Sequence, residues 1–147
     1  MLDILLAAVA ALTSQASTTW QVIDINAEAK RVLAVDVATK PTTLKPDAIV
    51  KARIFVTVDM PDISALTGYW VIDCGKNLHQ VRDTATFDKA GKASAPDLVP
   101  MEWEANPSGS LFEAVANYVC RGQPGRPGEL LTGAAPIAAA NALLTKG

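Results

Sequence analysis

The clearest alternation of apolar and polar positions lies in residues 50–58. Val50, Ala52, Ile54, Val56 and Val58 fall on one side of an extended chain, with Lys51, Arg53 and Thr57 on the other. A period of two predicts a half-buried β-strand. Pro61 ends it, since proline cannot continue a ladder. Runs rich in β-branched and aromatic residues predict further strands at 20–25, 30–37 and 69–74. The polar stretch 26–29 between the first two predicts a hairpin. Residues 39–47 hold Pro41 and Pro46 and read as a loop. Residues 77–87 predict two short strands or one bent one. Residues 88–92 are a turn signal in which Gly91 can take positive φ. Residues 101–105 alternate about Trp103, which is expected in the core with Glu102 and Glu104 facing solvent.

The period changes beyond Pro107. Ser110 followed by Glu113 fits a capping box. Leu111, Phe112, Val115 and Val119 then recur at helical spacing, with Tyr118 alongside. They predict an amphipathic helix of about three turns ending near Gly122. Cys120 falls on its last turn, close to the apolar stripe. Residues 123–147 are rich in Pro, Gly and Ala and are expected to form a flexible tail outside the sheet. Within it, residues 137–144 are a helix candidate too short to be stable alone. Strands first and one helix afterwards predict an α+β fold. Its expected form is an antiparallel β-sheet with a C-terminal α-helix packed on one face.

A chain of 147 residues, half of them apolar, suits one domain with a real core. Thirteen basic against fifteen acidic side chains give a net charge of −2. That balance lacks the strongly basic face expected of a nucleic-acid binder. His79 is the single histidine, which rules out a multi-histidine metal site within one chain. No cofactor is expected.

The beginning of the chain changes the picture more than its charge does. Residues 4–12 (ILLAAVAAL) have the length of a signal-peptide core, too short to span a bilayer. Ser14 and Ala16 supply small residues at the two positions a signal peptidase reads. Residues 1–16 are therefore expected to be a signal peptide, cut between Ala16 and Ser17, although Asp3 stands where a basic residue is usual. Export makes Cys74 and Cys120 one disulfide, since two cysteines in an oxidising compartment are read as a bridge. They do not form C-x-x-C, and no cysteine follows the apolar run to carry a lipid. The product is expected to be periplasmic or secreted, with no membrane anchor.

Several residues invite chemistry, and each has a structural reading that is preferred. Cys74 with His79 could be a nucleophile pair, but bridging would consume the thiolate. Ser110 lies in a serine-rich loop, and its place at a helix start explains it. Asp59 with Asp62, and Glu102 with Glu104 about Trp103, could be paired carboxylates. Solvent-facing loop and strand positions are the preferred account of them. Lys51, Arg53 and Arg82, joined by Lys40 and Lys45, could form a basic band for acidic polysaccharide or lipid headgroups. The plainer account is a solvated strand face.

The set of residues also resembles the surface-adhesin protein E-like family of exported bacterial proteins. The matching positions are Trp20, Asp36, Asp73-Cys74-Gly75, Phe87-x-x-x-Gly91, Trp103, Pro107-x-x-Ser110 and Val119-Cys120. They span most of residues 17–122. The resemblance implies an antiparallel sheet with a C-terminal helix tied to it by the bridge. It also implies a non-enzymatic binding or structural role in the bacterial envelope. The expected partner is a protein or polysaccharide, with a homodimer as one form of assembly. The alternatives are a small periplasmic hydrolase and a subunit that assembles through its sheet edge.

Overall fold

The computed structural model describes residues 17–126 and 128–145. The expected signal peptide, with Ala16, lies outside the described residues. Seven antiparallel strands form one sheet. They are β1 (Thr19–Asn26), β2 (Arg31–Asp36), β3 (Ile49–Thr57), β4 (Ala65–Asp73), β5 (Leu78–Phe87), β6 (Glu104–Ala105) and β7 (Leu130–Thr132). Helix α1 (Leu111–Cys120) precedes β7 and α2 (Ile137–Leu144) follows it. The strand order is β6-β5-β4-β3-β2-β1-β7. Strands β1 to β5 are a meander, each paired with the next; short turns join β1 to β2 and β4 to β5, and longer loops join β2 to β3 and β3 to β4.

The predicted hairpin is present, with Asn26 opposite Arg31. Residues 77–87 form the single bent strand of the two expected forms. The bend is a register shift opposite Gly68, where Asp83 takes φ 52°. The turn at 88–92 closes on the Asp88 carboxylate, which accepts from the amides of Ala90 and Lys92, while Gly91 takes φ 82°.

Successive residues of a strand face opposite sides of the sheet. Ile54 belongs to one buried cluster and Phe55 to another. The first cluster joins Leu33, Val35, Val50, Ala52, Trp70 and Ile72 to Val115, Ala116, Tyr118 and Val119 of α1. The second joins Trp20, Val22, Val32, Ala34, Phe55 and Ala65 to Leu131 of β7 and Ala140 of α2. Each fully buried large aliphatic or aromatic side chain contributes about 1.5–3 kcal/mol. The half-buried reading of β3 is therefore corrected at its far end. Phe55 and Thr57 are buried on the side expected to face water. There the Thr57 hydroxyl accepts from the Val32 amide at 2.8 Å.

The flexible tail is the main correction. Its residues supply β7 and α2. Thr19, Trp20 and Gln21 pair with Thr132, Leu131 and Leu130. The prolines did not prevent this, since Pro124 lies before the three-residue strand and Pro136 stands at the start of α2. Gly125 permits the approach, because a Cβ there would lie 2.6 Å from the Val22 carbonyl oxygen. The Arg126 amide donates to that same oxygen at 2.8 Å. The Trp20 indole N–H donates to the Gly133 carbonyl at 2.7 Å. Helix α1 is thus not the last element of the chain.

Cys74 and Cys120 form the expected disulfide, with Cα atoms 5.7 Å apart. It joins the end of β4 to the last residue of α1. At the other end of α1, the Ser110 hydroxyl accepts from the Glu113 amide at 3.2 Å. The reciprocal bond falls one residue earlier than a capping box predicts. Glu113 Oε1 accepts from Gly109, not from Ser110.

Candidate functional site

The ladders fix which side chains share a face. Arg53 lies opposite Tyr69, and Tyr69 opposite Arg82. One step along, Lys51 lies opposite Val71, and Val71 opposite Gln80. All share the face of Phe55, but α2 joins that face only at its Phe55–Ala65 end. Toward the start of β3 the face is open. Lys51 and Arg82 are exposed, and Tyr69 and Gln80 are half-buried. Three rigid strands therefore hold an aromatic ring, an amide and two cations in one patch.

The expected basic band is brought together in part. Lys51, Arg53 and Arg82 share the face, but Arg53 is already engaged. Its guanidinium lies 3.8 Å from the Asp36 carboxylate and donates to the Thr18 hydroxyl at 3.3 Å. It also stands over the Trp20 ring, 5.1 Å from the centroid. Lys51 Nζ sits 4.4 Å from the Tyr69 ring centroid. At an exposed site such a contact contributes about 0.5–1 kcal/mol, so the ammonium is easily drawn away. Arg82 makes no ion pair among the described residues. Lys40 is not part of the band, since its ammonium stands 4.2 Å from the Tyr118 ring of α1. Lys45 is exposed in the loop before β3.

The other face carries an apolar groove of about 260 Å³ beside α1. Ile54, Val56, Leu66, Trp70, Met101 and Phe112 line it. Met101 arrives from a segment that runs along β5, held by its own amide on the Val81 carbonyl. That segment corrects a second expectation. Trp103 is 43% exposed, not core, and Leu98, Val99 and Met101 are more exposed still. The cause is position: the segment lies outside β5 at the edge of the sheet, where only Glu104 and Ala105 pair as a strand.

The remaining candidates resolve individually. Cys74 is bridged, so the Cys74–His79 nucleophile pair has no thiol. His79 is instead a buried structural residue. Its Nδ1 lies 2.8 Å from Asn106 Oδ1, and the Asn106 amide group donates to Asn77 Oδ1 at 3.0 Å. An acceptor there makes Nδ1 the protonated nitrogen. Nε2 then faces Glu104 at 4.0 Å. Ser110 is a helix cap, its hydroxyl donating to the Pro107 carbonyl. Asp59 pairs with Lys30 at 3.8 Å, and Asp62 is exposed in the same loop. Glu102 and Glu104 are exposed on either side of Trp103.

Sequence reasoning missed Tyr69 and Gln80 as partners of the band. Tyr69 was visible as a strand residue. Its row could be known only from the register, which the bend in β5 resets. The groove was not legible, since its lining comes from three strands, a helix and an edge segment. No family model matches the chain, and neither a curated protein nor a solved structure matches it.

Proposed function

We propose that the protein is a non-enzymatic, exported binding module of the bacterial envelope that works through the open face of its sheet. The observation that carries this reading is the patch of Lys51, Tyr69, Gln80 and Arg82, held in register by three neighbouring strands. Sites built on strands hold their side chains more firmly than sites on loops. Two facts support export. The Cys74–Cys120 bridge belongs to an oxidising compartment. Strand β1 begins at Thr19, so cleavage before Ser17 leaves every strand intact. The resemblance to the surface-adhesin protein E-like family supports a binding role over a catalytic one.

Assembly through a sheet edge is the weaker reading. The outermost strands, β6 and β7, have two and three residues, too short to template a long pairing.

Mass analysis of the full chain made in a secreting bacterium tests export. A product starting at Ser17 with no alkylatable thiol is expected; an unprocessed chain with two free thiols would overturn it. Co-sedimentation with isolated envelope tests binding. The Lys51→Gln/Arg82→Gln variant should be released where the wild type is retained, and equal retention would remove the open face from the proposal.

A further inference from the structure

The open face also says what it would hold. Resting on the binding-module reading above, we infer that its ligand is a carboxylate-bearing polysaccharide of the uronate class, lying across β3, β4 and β5 with one sugar ring on Tyr69.

Charge is the first argument. Of the acids near this patch, Asp36 is engaged by Arg53, and Asp73 accepts from the Lys76 amide at the strand end. Lys51, Arg53 and Arg82 outnumber Asp36 and Asp73 on the face, and neither Lys51 nor Arg82 makes an ion pair among the described residues. An anionic chain is the complement of such a surface, and a neutral one is not.

The second argument is the side-chain set. An aromatic ring offers an apolar plane, Gln80 offers donors and an acceptor, and of the two cations Arg82 stands opposite the ring and Lys51 diagonal to it. Neighbouring strands stand about 4.8 Å apart, so the row from Arg53 to Arg82 spans about 10 Å. That suits a chain of linked rings better than a point anion. A lipid surface suits it less. Val71 at the centre of the patch is buried, and Ile49 is the one exposed large apolar side chain on its three strands, so the strands offer little to insert.

Lys51 links the two arguments. It now covers the Tyr69 ring. An arriving uronate draws the ammonium to its carboxylate and puts a sugar ring in the vacated place. The lysine thus guards the aromatic plane when free and pairs with the ligand when bound.

The test is calorimetric titration of the oxidised full chain with a tetragalacturonate, with the neutral galactose tetramer and phosphatidylglycerol vesicles as comparisons. Saturable binding to the acidic sugar that weakens as salt rises is expected. Lys51→Gln and Arg82→Gln should each reduce affinity about fivefold, the effect of one partly exposed ion pair. Tyr69→Phe should bind as the wild type does, and Tyr69→Ala should not saturate. Lys51 and Arg82 are exposed and Tyr69 is half-buried, and an unchanged far-ultraviolet spectrum checks that each variant folds. Equal affinity for the neutral tetramer, binding to vesicles alone, or an undiminished Arg82→Gln variant would overturn the inference. The two proposals fail separately. New reducing ends in the titrated sugar would overturn the non-enzymatic reading and leave the sugar class standing. Envelope retention of Arg82→Gln at the wild-type level would overturn the sugar site and leave the binding module standing.

Discussion

The imidazole of His79 lies flat on the ring of Phe112, with centroids 3.5 Å apart and planes 7° from parallel. Phe112 in turn meets Trp70 at 4.5 Å. A strand, a helix and the sheet face beneath them are thereby joined through three rings. Asn106 completes the arrangement by accepting from His79 and donating to Asn77. Replacing Asn106 by Ala leaves the buried Nδ1 of His79 unpaired. The expected cost is about 1–3 kcal/mol. Urea denaturation with an unchanged slope would report it, and an unchanged midpoint would show that the network carries no stability.

The disulfide closes a loop across a sequence separation of 46. On chain-entropy grounds such a loop contributes about 4 kcal/mol. Cys120→Ser should lower the melting temperature under oxidising conditions and match the reduced wild type. An equal melting temperature of variant and oxidised wild type would mean that the bridge constrains the unfolded chain very little.

Truncation after Gly122 removes β7 and α2 and uncovers Trp20, Phe55 and Ala65. The sequence predicts a domain that tolerates this loss; the fold predicts the opposite. The truncated chain should lose its cooperative transition and bind a hydrophobic dye. Gly125→Ala is a milder probe, since its Cβ would meet the Val22 carbonyl. It should loosen the tail first, seen as faster amide exchange at Val22 and Arg126.

What was legible in the chain follows from range. The alternation at 50–56, the hairpin before Arg31 and the cap at Ser110 are set by neighbours in sequence, and each was readable there. The disulfide was readable because two cysteines leave one pairing. Strand β7 was not, because Leu130–Thr132 gains its order from pairing with β1, 113 residues away at the Thr19–Thr132 pair. Three residues carry too little pattern to declare themselves. Trp103 misled for the converse reason: its alternation is real, but nothing packs over that edge. The candidate site was half legible. Lys51, Arg53 and Arg82 could be picked out as charges. That Arg53 is taken by Asp36 and that Tyr69 lies between the others are facts of register.

Burial pushes the Tyr118 phenol up from its ordinary 10.0. A group whose folded value is raised contributes stability that is full below the unfolded value and lost as pH rises through the folded one. Stability should therefore fall on the alkaline side of pH 10. Tyr118→Phe should lessen that fall. Lys40 places its ammonium over the same ring. A Lys40→Gln variant separates the two, since it should keep the phenol's share of the fall. Melting curves across that range give the answer, and identical alkaline decline in Tyr118→Phe would assign it elsewhere.

The pairing of β1 with β7 also sets an order of events. Strands β1 to β5 can zip as successive hairpins while the chain is still emerging. Trp20, made early, then waits uncovered until Leu131, Gly133 and Ala140, more than a hundred residues later, have been made. A chain broken between α1 and β7 leaves that indole bare. The arrival of this segment is thus written on the surface of the sheet, where a chaperone or protease that reads exposed aromatic side chains can tell whether it has docked.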